Sequence, residues 1–289
     1  MKKILLLIIL VLGTGLIFAF SVLKYTEKKL ADENSLLGIM YQQNAAEYEA
    51  LCLQAYHMAK VQAETAWATN KDHDHLAIVT DLDETALDNT PGEAFDYQQD
   101  KQFEISQWWL HGRPRAVPGA VEFFNWAHQK GFHIYYVSNR PNVPAIIDST
   151  REQMKLLGFP LTATAKDDRY FMFAPKGVST KQPRRDSITH VLKDNIILLL
   201  GDNLPDVSAE FDKVDGKYLA DTTRCAIAKN MKDSWGTKFI VLPNAYYGDW
   251  ESTYYQAYRD ANPDSIVTIQ KKYAIRESIL KTYDFIKSK

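Results

Sequence analysis

Four clusters of polar residues each sit beside a short apolar run or helix start in this chain, and their residue types fit one kind of chemistry. The first is Asp81-Leu82-Asp83-Glu84-Thr85, which follows the apolar run Leu76 to Thr80. Where a strand ends the backbone turns, so two carboxylates at this spacing can face one crevice. A carboxylate that attacks phosphorus gives an acyl phosphate and splits one difficult displacement into two easier ones. A second carboxyl within reach can protonate the departing oxygen and later take a proton from the incoming water. An acidic strand-end turn is also ordinary, so this cluster gains meaning only from the others.

The second cluster ends Tyr135-Tyr136-Val137-Ser138-Asn139-Arg140, where a hydroxyl, an amide and a guanidinium arrive as donors for phosphate oxygens. The third is the basic loop Ser179 to Arg185. Lys181 is singled out there as a point charge that offsets the repulsion between an anionic nucleophile and an anionic substrate, while Arg184 and Arg185 read as a solvated face. The fourth, Gly201-Asp202-Asn203-Leu204-Pro205-Asp206, combines a tight turn at Gly201 with two further carboxylates. Asp81, Asp83, Asp202 and Asp206 in one crevice require a cation, and hard oxygen donors select Mg²⁺. Asp72-His73-Asp74-His75 reads as a polar turn that needs no metal.

These clusters must be held by alternating strands and helices. Strands are expected at Leu76 to Thr80, Phe132 to Val137, Tyr170 to Phe173, Ile196 to Leu200 and Phe239 to Leu242, the fourth being the continuous apolar run of a fully covered parallel strand. Helices are expected from Leu36 to about Asn70, with Met40, Ala45, Leu51, Ala55 and Met58 as its apolar positions, and from Pro118 to a stop at Gly131. Two more are expected from Pro144 to Leu157 and from Arg185 to Lys193. The polar clusters other than the basic loop follow strand C-termini, the edge at which open α/β sheets bind ligands.

The whole chain has 289 residues, 46% of them hydrophobic, enough for one large core with a smaller satellite. Its 34 basic against 36 acidic residues give a formal net charge of -2, which argues against a nucleic-acid polymer and for a small substrate. Lys2 and Lys3 precede an uncharged apolar run from Ile4 to about Leu23, so residues 1–23 read as an export segment, either a cleaved signal or a retained membrane anchor. No Cys lies near its end for lipid attachment. Cys52 and Cys225 read as two unpaired, mostly buried thiols.

An Asp-x-Asp-x-Thr strand end, a strand-terminal Ser, a loop Lys and a Gly-Asp-Asn-x-x-Asp strand end, in this order, resemble the four motifs of the haloacid-dehalogenase (HAD) superfamily of phosphatases. More narrowly, Asp81 to Asn89 (DLDETALDN), Ala116 to Phe123 (AVPGAVEF), Gly201 to Asp206 (GDNLPD) and Val241 to Glu251 (VLPNAYYGDWE) are similar to the bacterial class C acid phosphatases. That family includes surface lipoproteins active as 5′-nucleotidases. The resemblance implies that Asp81 is nucleophile and metal ligand, and that Asp83 is general acid/base and binds the metal through its backbone carbonyl. It implies phosphate binding by Ser138 and Lys181, with Asn139 beside them, side-chain metal ligation by Asp202, and support from Asp206.

The implied fold is a doubly wound parallel α/β sheet over residues 75–245. A small helical cap is expected from residues 36–74, an insertion at about 90–116 and residues 246–289. Within it, Trp108 and Trp109, with Tyr247 from the C-terminal side, either stack the leaving group or form the small domain's core. The expected reaction is Mg²⁺-dependent, acid phosphomonoester hydrolysis of nucleoside monophosphates and aryl phosphates at or outside the cell surface. Homo-oligomerisation is left open. Dehalogenation needs neither Asp83 nor Mg²⁺, and a binding or storage protein should have lost one of these groups, so both are the weaker readings.

Overall fold

The computed structural model describes residues 36–99, 103–161 and 170–281, together with Thr14, Ile17 and Ser21. The expected export segment therefore lies largely outside the described residues, among which no helix is long and apolar enough to cross a membrane.

Five strands form one wholly parallel sheet: β1 (Leu76–Thr80), β4 (His133–Pro141), β5 (Phe171–Ala174), β6 (Asn195–Gly201) and β7 (Phe239–Val241). Their order is β5-β4-β1-β6-β7, so the chain winds outward from β1 on one side and then returns to build the other. Side chains alternate across a strand, and a parallel sheet covered on both faces needs apolar residues at both parities. In β1, Leu76 and Ile78 join Ile134, Tyr136, Leu198, Leu200 and Ile240 in the larger core. Ala77 and Val79 join Tyr135, Val137 and Leu199 on the opposite face, covered by Ile188 and Val207.

The larger face is covered by the helices Ala46–Thr69, Ala120–Lys130 and Pro144–Leu156. The N-terminal helical run breaks at Ala45, and its buried stripe is Tyr48, Cys52, Tyr56, Ala59 and Ala63. This corrects two expectations. Of the apolar positions read from the sequence, Ala45 and Ala55 pack partly buried against the core, but Met40, Leu51 and Met58 are exposed, because the face against Phe123 and Phe124 is filled by tyrosine, cysteine and alanine. The helix is also a layer of the main core, since that stripe packs in the same cluster as the strands. Gly131 ends the Ala120–Lys130 helix in the left-handed conformation at φ 96°, a position that glycine takes at least cost.

Two short strands, β2 (Leu87–Asp88) and β3 (Arg115–Ala116), pair antiparallel and close the base of the insertion that carries the helices Thr90–Gln98 and Ile105–His111. Arg115 clamps this base through Asp88 at 2.6 Å. The C-terminal helices Asp249–Ala261 and Ile269–Ser278 are joined by Arg276 and Glu251 at 2.5 Å. At the N-terminal edge of the sheet, Asp194 accepts hydrogen bonds from His75 (3.1 Å), His133 (2.7 Å) and Tyr135 (2.5 Å), which accounts for the His75 end of the polar turn without a metal. Cys52 and Cys225 are unpaired, but only Cys52 is buried.

Candidate active site

Asp81 leaves the C-terminal end of β1 with its backbone N–H on the Leu200 carbonyl at 3.0 Å, so the pairing of β1 with β6 sets where its carboxylate emerges. The Lys181 ammonium, buried at the start of the Gln182–His190 helix, contacts Asp81 and lies 2.7 Å from Asp206. Asp206 comes from a 3₁₀ turn, Leu204–Asp206, and its carboxylate accepts the Asn203 backbone N–H at 3.0 Å. Gly201 makes this approach possible, because a Cβ built there would stand 2.2 Å from the Asp206 Cβ. Asp202 accepts from Thr85 Oγ1 at 3.1 Å and from Asn244 Nδ2 at 2.9 Å. Oxygens of Asp81, Asp202 and Asp206 lie within 4.8 Å of one another.

This clustering is unfavourable for bare carboxylates. Burial pushes Asp81 up to about 7, with Lys181 pulling against it and Asp206 and Asp83 adding to it. Burial, then the charges of Asp206 and Asp81, raise Asp202 well above the carboxylate range. Such a group of hard oxygen donors suits a divalent cation, which removes the repulsion that raises these pKa values.

Asp83 lives in the opposite surroundings. Burial alone would raise it, but the Arg140 guanidinium and hydrogen bonds from Arg140 and Asn89 hold it below the usual carboxylate range. Arg140 is itself fully buried, 2.7 Å from Asp83 and bonded to Thr150 (2.8 Å) and Gln153 (3.1 Å). Gln153 continues to the backbone carbonyls of Trp109 and Gly112. The expectation that this guanidinium is a phosphate donor is thus corrected, because its donors are committed to fixing Asp83.

The basic loop is corrected as well. Arg184 ties the Ser138 and Met172 carbonyls and Asn139 to its own helix, and Arg185 holds the carbonyls of Pro205 and Asp206 at 3.1 and 2.7 Å. Both are clips between loops, since a guanidinium satisfies several carbonyls that no backbone partner reaches. Ser138 is buried and accepts the Arg140 N–H, whereas Asn139 is exposed beside Arg184.

Two residues that sequence reasoning left without a role, Glu84 and Asn89, stand at the centre of the crevice. Glu84 is fully buried, at φ 58°, and accepts from Asn89 N (3.0 Å), Asn89 Nδ2 (3.3 Å), Tyr246 OH (2.9 Å) and Tyr247 OH. Burial and the neighbouring Asp83 charge push it up to about 8 despite these bonds. The Asn89 carboxamide also donates to Asp83 at 2.8 Å and accepts the Trp108 indole N–H at 2.8 Å. Trp108 lines a cavity of 560 Å³ with Phe95, Phe103 and His111. Trp109 packs against the main core, so its ring is structural, and Tyr247 keeps an exposed ring with its hydroxyl turned inward. The signal available in the sequence was the two polar residues Glu84 and Asn89 inside DLDETALDN together with two adjacent tyrosines in AYYGDWE, but nothing in spacing joins them.

Residues 20–250 match the family described as HAD superfamily, subfamily IIIB (acid phosphatase). Among solved structures, a class C acid phosphatase from Bacillus anthracis with tungstate bound is similar at 31% identity and a TM-score of 0.75, covering 89% of this chain and 100% of that one. A second structure of the class C acid phosphatase from Bacillus anthracis aligns at 32% identity and a TM-score of 0.73 with the same coverage. With this fold and this crevice, the chain belongs to the acid phosphatases of HAD subfamily IIIB and is a phosphomonoester hydrolase.

Proposed function

We propose that the protein is a Mg²⁺-dependent acid phosphatase that hydrolyses nucleoside monophosphates and aryl phosphates through an aspartyl phosphate on Asp81. The observation that carries this reading is the contrast between two carboxyls two residues apart, one among carboxylates and an ammonium, the other locked to Arg140 and Asn89. Environments that separate two titratable groups in this way assign them different roles.

In the first step an Asp81 oxygen attacks phosphorus and the bond to the leaving oxygen breaks, with Asp83, ionised in the free site, relaying to that oxygen the proton that a monoester monoanion carries at acid pH. In the second, water attacks the aspartyl phosphate, Asp83 takes its proton, and inorganic phosphate leaves. Lys181, Ser138 and Asn139 offer donors to the phosphoryl oxygens. Asp81 and Asp202, with the Asp83 backbone carbonyl, would hold Mg²⁺, and Asp206 supports Lys181 and the turn that carries Asp202. The cation supplies charge neutralisation that lets a carboxylate approach a phosphate. Trp108 and the exposed ring of Tyr247 suit a flat leaving group, and the tungstate bound in the Bacillus anthracis class C acid phosphatase is a tetrahedral oxyanion like phosphate.

The grouping of Asp81, Asp202 and Asp206 around Lys181 supports turnover over a binding or storage role. Hydrolysis of mononucleotides, aryl phosphates and alkyl phosphates, before and after EDTA treatment, tests the reading. Activity lost with EDTA and restored by Mg²⁺ is expected; activity indifferent to EDTA would remove the metal. The N-terminal apolar run supports a site of action outside the cytoplasm, and the intact mass of the mature protein tests whether it is cleaved.

A further inference from the structure

We infer that Glu84 and Asn89 are positioning residues, forming one bridge that fixes both the proton donor Asp83 and the rings that receive the leaving group. The inference rests on the phosphatase reading above and adds to it a physical link between substrate recognition and protonation. Glu84 has two carboxylate oxygens, and each accepts two hydrogen bonds, one from Asn89 and one from a tyrosine hydroxyl. A non-glycine residue in the left-handed region is uncommon, and at φ 58° Glu84 is held there by its own N–H on the Leu87 carbonyl at 2.7 Å. Such a conformation persists only where its surroundings over-determine it.

The Asn89 amide has one orientation that satisfies its neighbours. Its Nδ2 faces two carboxylates, Asp83 at 2.8 Å and Glu84 at 3.3 Å, and its Oδ1 faces the Trp108 indole N–H at 2.8 Å. Both amide hydrogens and the carbonyl are thereby used. The bridge runs without interruption from Tyr247 through Glu84 and Asn89 to Asp83 and Trp108. Tyr247 is 41% exposed although its hydroxyl is bonded inward, so the ring is presented to solvent by a tether at its far end. Preorganising a ring in this way lowers the cost of ordering it when a flat ligand lands.

A double-mutant cycle on the active enzyme tests the tether. Tyr247→Phe keeps the ring and removes only the hydroxyl, and Glu84→Gln keeps the shape but puts an amide where one carboxyl oxygen accepts. Each is expected to raise KM for an aryl phosphate about tenfold, the scale of one buried hydrogen bond left unmade, with a much smaller change in kcat. The double variant is expected to match the worse single variant rather than their product. The other half of the bridge is read with Asn89→Leu. Its kcat/KM reports formation of the aspartyl phosphate, and the loss should be roughly tenfold greater for an alkyl phosphate, whose leaving oxygen needs a proton, than for p-nitrophenyl phosphate. Tyr247→Phe within twofold of wild type on aryl KM, or equal losses on both substrates for Asn89→Leu, would overturn the bridge. A wild type that hydrolyses no phosphomonoester, or an Asp81→Asn variant that still turns over, would instead defeat the underlying reading. Should Glu84→Gln fail to fold, Tyr247→Phe decides the tether alone.

Discussion

At the scale of the residue, the site works by giving chemically identical groups different surroundings. Asp81→Asn keeps the shape and removes the nucleophile, so turnover on any phosphomonoester is expected to fall by about 10³ or more while the melting temperature changes little or rises. Single-turnover assays and a thermal melt on the same preparation check this. Gly201→Ala is predicted to act at a distance of one turn: the added Cβ would collide with Asp206, displacing the partner of Lys181 and destabilising the fold by about 1 to 3 kcal/mol. Denaturant unfolding and kcat/KM should both decline; a variant with unchanged activity would show that Asp206 has room to move. Asp81 and Asp202 were legible because strand-end position and residue type suffice to bring them together, and Lys181 because a lysine in a nearby loop is the residue type that meets buried carboxylates. Arg140, Arg184 and Arg185 were misread because a sequence shows their charge but not the buried carbonyls and carboxylates that absorb it.

At the scale of the element, each strand of the sheet was legible to within a few residues, since continuous apolar runs leave few alternatives. The N-terminal helix was legible as a helix but not in its phase. Its buried face is built from Tyr48, Cys52, Tyr56, Ala59 and Ala63, and Tyr56 reaches the Thr85 carbonyl at 2.6 Å, so packing against Phe123 and Phe124 selected tyrosines and small residues over the larger aliphatic ones. The aromatic pair at the cap was half legible: Trp108 borders the crevice, whereas Trp109 turns to the core, a choice made by helix rotation within one step of sequence. Tyr247, at the turn before the Asp249–Ala261 helix, belongs to the element that approaches from the far end of the chain. Tyr247→Ala is expected to raise KM for nucleoside monophosphates by roughly tenfold, since stacking of a base on an aromatic ring contributes about 1 to 3 kcal/mol. The ratio to a small aliphatic phosphate is the informative quantity; equal damage to both would make the ring a structural part.

At the scale of the whole molecule, stability should depend jointly on pH and metal. Asp81 and Asp202 have folded pKa values raised above their ordinary range, so the stability they contribute is complete below the unfolded value of 3.8 and is lost as pH rises toward about 7. A bound cation offsets that loss. The difference in melting temperature between Mg²⁺-loaded and EDTA-treated protein is therefore expected to widen as pH rises from about 4.5 to about 7.5. Scanning calorimetry along that series measures it, and a constant gap would contradict the crowding of carboxylates as its cause.

The strand order has a further consequence, for the timing of synthesis. β1 is buried along its whole length and is the first strand of the sheet to be made, yet it pairs with β4 on one side and β6 on the other. Residues Leu76 and Asn195 are neighbours in this register, so the second edge of β1 stays open until just over two-thirds of the chain has emerged. Pairings this distant in sequence fold slowly and leave apolar strands exposed meanwhile. A chain released before Asn195 lacks both the partner strand that aims Asp81 and the turn that carries Asp202 and Asp206. The acidic crevice thus assembles only after β6 and the turn that follows it have been made, and a nascent fragment needs shielding from its own kind rather than from its substrates.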